Sequence, residues 1–166
     1  FDSAKDYVRT LQANRTLRIF CINSNNPVVD VVLNQKHQLA QENGITMRVQ
    51  VNNLSSISYQ TDELVVLLSN LLDNAIKYSK QEGGTIKVKF FDMGDQALIE
   101  VADEGIGVAE KDLNRLFERF YRTDKARSKE NGGTGLGLAI VKHIIEAHRQ
   151  TLNVRSRLGE GTTFGF

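Results

Sequence analysis

Asn70, Asn74 and Lys77 recur at i, i+4 and i+7 in NLLDNAIKYS (70–79), so they share one face of any helix that carries them. Amide oxygens are hard ligands suited to a magnesium ion that keeps several waters, and an ammonium one turn further on suits a phosphate. Taken alone, an ordinary solvated face is the plain alternative. Further along, Ile99, Val101 and Asp103 fall in phase, so a carboxylate ends the buried face of a strand and needs a partner there. Gly105 and Gly107 follow on either side of Ile106. Glycine at both places lets backbone approach a flat ligand while the acid accepts a hydrogen bond from an exocyclic amine. The competing reading is an aspartate that caps a tight turn.

A second glycine cluster, Gly132-Gly133-Thr134-Gly135-Leu136-Gly137, opens a helix whose apolar positions are expected at Leu136, Ile140, Ile144 and Ala147. Unpaired N–H groups at the positive end of a helix make a ready phosphate site. No GK[ST] follows and no strand leads in, so neither a P-loop nor a dinucleotide fingerprint fits. HRD and DFG triplets do not occur, which disfavours a protein kinase of the eukaryotic type. Between the two clusters, Arg119, Arg122, Lys125, Arg127 and Lys129 outnumber Glu118, Asp124 and Glu130. Such a segment reads as a mobile lid that closes over phosphates, or as a basic solvated loop.

The elements that must position these groups follow from periodicity. Residues 1–25 read as a linker or helical stem, with Tyr7, Leu11 and Leu17 in a weak helical pattern and a break at NSNNP (23–27). From Pro27, the spacing of Val28, Val31, Val32, Gln35 and Leu39 predicts a helix capped near Gly44, and Ile45, Met47, Val49 and Val51 alternate as a strand. Leu64, Leu67, Leu68, Leu71, Leu72 and Ala75 form one apolar stripe on a helix from Asp62 to Ser79. Strands over 85–92 and 96–103 make a hairpin about Met93-Gly94-Asp95, followed by a short helix at 110–118, a helix at 134–148 and two last strands. Without strict βαβ alternation, the expected class is α+β: a two-layer α/β sandwich whose mixed, mostly antiparallel sheet is covered by helices, over residues 26–166.

With 166 residues, 40% hydrophobic and 25% charged, the chain has the size and composition of one globular domain. A net charge of +1 gives no global field toward nucleic acid or anionic lipid, and none is expected as a partner. The single Cys21 makes no internal disulfide and has no metal-ligand neighbours in sequence, which fits a reducing compartment. The longest apolar run, Leu64 to Leu68, is far short of the roughly 18 to 20 residues that span a bilayer. A start on Phe1 and an end on apolar Gly165-Phe166 are expected of an excised piece of a longer protein.

Taken in order, NLLDNAIKYS (70–79), DEGIG (103–107), FERFYR (117–122), GGTGLGLAI (132–140) and GEGTTF (159–164) resemble the N, G1, F, G2 and last glycine boxes of bacterial sensor histidine kinases. The dense part, 70–164, looks most like the phosphate-sensing and cell-wall-sensing class. The stretch 26–45 resembles instead the corresponding part of peptide-pheromone receptor kinases. The resemblance implies an ATP-binding catalytic domain with magnesium as cofactor. It makes Asn74 the metal ligand, Lys77 a phosphate contact, and Tyr78 and Tyr121 walls of the nucleotide site. Asp103 would read the adenine amino group, supported through water by Thr162, with Gly105 and Gly107 admitting the base. Gly133, Thr134, Gly135, Leu136, Gly137 and Leu138 would cradle phosphates under the lid, and Arg122 would reach the terminal phosphate.

Hydrolytic relatives, gyrase and the large heat-shock chaperones among them, carry a glutamate where this chain has Asn70. An amide cannot act as a general base at neutral pH, so Asn70 suits holding ATP for transfer. None of His37, His143 or His148 has the setting of a phosphoacceptor, and His143, in phase with Ile140 and Ile144, is expected to be packed. The implied acceptor therefore lies on a separate dimerisation domain, with a response regulator as the next partner. The piece itself is expected to be monomeric, within a homodimeric, membrane-anchored sensor whose catalytic domain is cytoplasmic. An ATPase or serine kinase of the same superfamily, or a non-catalytic nucleotide-sensing module, remains the alternative.

Overall fold

A computed structural model describes residues 22–51, 60–93, 97–123 and 133–166. Residues 1–21 of the stem expected over 1–25, the hairpin turn at Gly94 and Asp95, and Lys125, Arg127, Lys129 and Gly132 of the basic segment lie outside the described residues.

Helix α1 (Pro27–Glu42) begins where Asn26 Oδ1 accepts the backbone N–H groups of Val28 and Val29, each at 3.2 Å, with proline at the first helical position. It ends at Asn43, after which Gly44 takes φ +69°. The buried side is Val29, Val32, Leu33, His37 and Ala40. Val28, Val31 and Leu39, expected inside, are 45%, 67% and 36% exposed. The buried stripe lies one residue out of phase with the expected one, because a helix this rich in valine offers two overlapping apolar patterns and only contact with the next helix selects one.

Strand β1 (Thr46–Gln50) leads to helix α2 (Thr61–Tyr78), whose whole predicted stripe is buried: Leu64, Leu67, Leu68, Leu71 and Leu72 are at most 1% exposed and Ala75 3%. Strands β2 (Thr85–Asp92) and β3 (Ala97–Asp103) pair antiparallel, as their alternation predicts. The expected helix at 110–118 is only one turn, α3 (Glu110–Leu113), with turns beyond it. Helix α4 (Gly137–Ala147) precedes β4 (Asn153–Arg157) and β5 (Gly161–Gly165).

The sheet order is β1-β2-β3-β5-β4, with β1 parallel to β2 and the other pairs antiparallel. Helix α2 packs between α1 and α4 and over β3, so its leucines are the centre of the core. α4 also departs from its expected phase. Because the glycine cluster up to Leu136 is non-helical, α4 starts three residues later than 134 and buries Val141 and Ile145, while Ile140 is 41% exposed, Ala147 is exposed and Ile144 is half-buried. His143, expected to be packed, is exposed for the same reason.

The corrected phase of α1 is checked by a pair of variants. Leu33→Ala should lower unfolding free energy by about 2–5 kcal/mol in urea titrations, whereas Val31→Ala should stay within about 0.5 kcal/mol. Equal losses would contradict the phase.

Candidate functional site

A cavity of about 250 Å³ opens between the C-terminal half of α2, the end of β3, the segment 116–123 and the start of α4. Asn70, Asn74 and Lys77 line it, as their common helix face predicts, and so does Tyr78, which the resemblance implies. The two asparagines commit their NH₂ groups to their own helix, Asn70 Nδ2 donating to Val66 O at 2.8 Å and Asn74 Nδ2 to Asn70 O at 3.0 Å. Each amide oxygen is thereby left as the group offered beyond the helix. A Cβ at Gly137 would stand 2.7 Å from Asn70 Oδ1, so glycine is what lets α4 begin this close to α2. Asp73, a wall residue not singled out from sequence, has its charge held by Lys36 of α1 at 2.5 Å.

Two cations converge at this end. Burial, and then the Arg122 guanidinium, push the Lys77 ammonium below its ordinary value. Burial pushes the Tyr78 phenol up, while the charge and hydrogen bond of Arg122 act against that rise. Lys77 Nζ lies 5.3 Å from the Tyr78 ring centroid. Like charges held together in a half-buried wall favour an anion between them.

The cavity also holds an acid. Asp103 closes β3 half-buried, and its pKa is raised from 3.8 to about 6: burial is the main cause, offset in part by the backbone N–H groups of Gly105 and Thr162. Those amides favour the carboxylate, while Oδ1 has no hydrogen-bond partner among the described residues. Thr162 stands directly across the strand pair from Asp103. Ile106, Val108, Leu116 and Phe164 supply apolar wall. Sequence reasoning gives none of them a role because an apolar residue in or beside a motif looks like any core residue.

The glycines partly change their meaning. Gly107 lines the cavity with φ +62°, and a Cβ there would run into the Arg157 carbonyl, so its small size serves the packing of this loop on β4. Gly105 is buried against the Tyr78 carbonyl and is not a wall of the cavity. Gly133, Thr134, Gly135, Gly137 and Leu138 line it, whereas Leu136 does not. Phe120 N–H donates to Gly135 O at 3.0 Å, clasping the two ends of the basic segment. Tyr121, also a wall, is anchored: its hydroxyl donates to Asp112 Oδ1 at 2.8 Å and the Arg115 guanidinium lies 4.2 Å from its ring centroid. Arg122 and Thr162 complete the set of predicted residues that meet at one cavity.

An acceptor, two cations and apolar wall lining one cavity complement a flat ligand with an amine at its head and an anionic tail. Residues 59–166 match the family described as histidine kinase-, DNA gyrase B-, and HSP90-like ATPase. The chain belongs to this family. Within it, the similarity runs to sensor histidine kinases. The sensor-like histidine kinase SenX3 of Mycobacterium tuberculosis is 43% identical over 141 residues, covering 82% of this chain and 34% of that protein. The solved structure of the mycobacterial sensor histidine kinase MprB matches with a TM-score of 0.72 at 30% identity, over 84% of this chain and 91% of that one. Full-length ShkA, solved in complex with AMPPNP, matches with a TM-score of 0.65 at 30% identity, over 83% of this chain and 29% of its own. The α+β sandwich is thus that of a histidine kinase catalytic domain.

The raised carboxyl of this histidine kinase domain has a definite stability signature. Its folded pKa of about 6 exceeds the ordinary 3.8, so the folded state binds the proton more tightly and Asp103 destabilises the ligand-free domain fully above about pH 6 and not at all below about 3.8. Asp103→Asn should therefore raise the urea midpoint at pH 7.5 and lose that gain as the pH falls to 4. A gain that grows on acidification would contradict the burial of this group.

Proposed function

We propose that this domain binds Mg-ATP and transfers its terminal phosphoryl group to a histidine on a separate helical dimerisation domain, from which it passes to an aspartate of a response regulator. The observation that carries this reading is the lining of one cavity, which combines an unpartnered carboxylate oxygen, a pair of cations and apolar wall. Asp103 accepts from the adenine amino group with Thr162 beside it. Tyr78 and Tyr121 flank the nucleotide. Lys77 and Arg122 neutralise the phosphates together with the N-terminus of α4 and Gly133, Thr134, Gly135, Gly137 and Leu138. Asn74 offers an amide oxygen to magnesium, which when bound spreads phosphate charge and orients the chain.

Asn70 sits where a hydrolytic enzyme needs a base, and its NH₂ is bonded to Val66 O. It can hold a solvent molecule or a metal-bound water but cannot take a proton from one, which favours transfer over hydrolysis. Of the histidines, burial holds His37 below its ordinary value, and His148 lies against Glu63 at 3.1 Å and the Ile144 carbonyl at 2.8 Å. His143 is exposed on α4, without the neighbouring acid and proline turn of an acceptor. The acceptor is accordingly assigned outside the described domain, consistent with the 34% of SenX3 that the chain covers.

The parent reads as a homodimeric, membrane-anchored bacterial sensor with this domain on the cytoplasmic side, where ATP and the regulator are found. No helix among the described residues is long and apolar enough to cross a membrane. The test is transfer of label from ATP to a matching dimerisation domain supplied separately. The acceptor histidine should be labelled, and Asn74→Ala should lower the initial rate at least about tenfold through loss of metal-borne charge stabilisation. Labelling that Asn74→Ala leaves unchanged would sink the assignment.

A further inference from the structure

Three polar side chains form one row across the sheet: Asp103 on β3, Thr162 opposite it on β5, and Ser156 opposite Thr162 on β4. Only Asp103 and Thr162 belong to the cavity wall. Ser156 stands behind them, and its hydroxyl makes three contacts of 2.8 Å each, with Val108 N–H, Gly161 O and Thr162 Oγ1.

Counting protons settles the direction of each. A serine hydroxyl carries one hydrogen and two lone pairs. Val108 N–H can only donate, so it takes one lone pair. Gly161 O can only accept, so it takes the single hydrogen. What remains for Thr162 is the second lone pair, and Thr162 must be the donor. The opposite assignment would press the Ser156 and Gly161 oxygens together at 2.8 Å with no proton between them.

We infer that Ser156 is a positioning residue that draws the Thr162 hydroxyl proton away from the base, so that the purine-reading wall presents hydrogen-bond acceptors alone. Thr162 then has only lone pairs to offer the cavity. Asp103 Oδ1 stays without a partner among the described residues although a hydroxyl stands across the strand from it, because that hydroxyl's proton is committed elsewhere. A wall of two acceptors matches a purine with an amino group at the six position and repels one with an oxygen there. The inference rests on the ATP reading and deepens it: base selectivity is set by a residue that does not touch the base.

The experiment compares affinity for ATP and for inosine triphosphate, measured by calorimetry, in the whole chain and its variants. Ser156→Ala releases the Thr162 proton to turn toward Asp103 or toward a purine oxygen, and should cut the preference for ATP about tenfold, the value of one neutral hydrogen bond. Ser156→Thr keeps the hydroxyl and should retain the preference. Should Ser156→Ala not fold, Ser156→Cys, which keeps the volume but weakens the donor, must move the preference in the same direction. A folded Ser156→Ala whose preference stays within about twofold of the parent overturns the inference. Parent protein that binds neither nucleotide overturns the ATP reading as well, so the two failures are distinguishable.

Discussion

A carboxylate at the end of a buried strand is costly unless something donates to it. Asp103 keeps one oxygen without a partner among the described residues, and its pKa rises to about 6. The surroundings sustain this state: the cross-strand row of Asp103, Thr162 and Ser156 fixes what can reach the carboxyl, and Gly105 lets the chain after β3 close on the end of α2. An unmet acceptor of this kind destabilises the free domain and is relieved when a ligand brings an amine. Folding free energy is thereby held in reserve for recognition, as is usual where a binding site opposes local stability.

The cationic part of the cavity depends on α2 having two unlike faces. Its leucine stripe anchors the core, so the asparagines and Lys77 at the remaining positions are held on a rigid helix rather than on a loop. α4 then starts against Asn70, which brings the positive end of a second helix to the same place. With Lys77 and Arg122 already repelling one another there, the arrangement is more comfortable with an anion than without one.

Much of this is readable in the sequence because two strong periodicities and several ordered glycine boxes coincide. The α2 stripe, the β2–β3 pairing and the common face of Asn70, Asn74 and Lys77 need no tertiary information, and Asp103 is joined to them by the ordered boxes of the resemblance. The phases of α1 and α4 do. In α1, consecutive valines support two registers, and contact with α2 chooses Val29 and Leu33 over Val28 and Val31. In α4, the glycine cluster looks like the first helical turn but is not helical, which shifts the buried face to Val141 and Ile145 and leaves His143 in solvent. Ser156 is invisible in the sequence for another reason: its part lies in proton bookkeeping among three strands and loops, and a single serine in a strand carries no signal of that.

The most direct test is a carbon-13 NMR titration of the Asp103 side-chain carboxyl, with and without ATP. In the free domain the carboxyl should titrate near about 6, well above its ordinary 3.8. Saturating ATP should move the midpoint down, because an amine that donates to the ionised form favours it. A carboxyl that titrates near its ordinary value in the free domain, or a midpoint that ATP leaves where it was, would contradict the role of Asp103 as an unmet acceptor for the amine of the base.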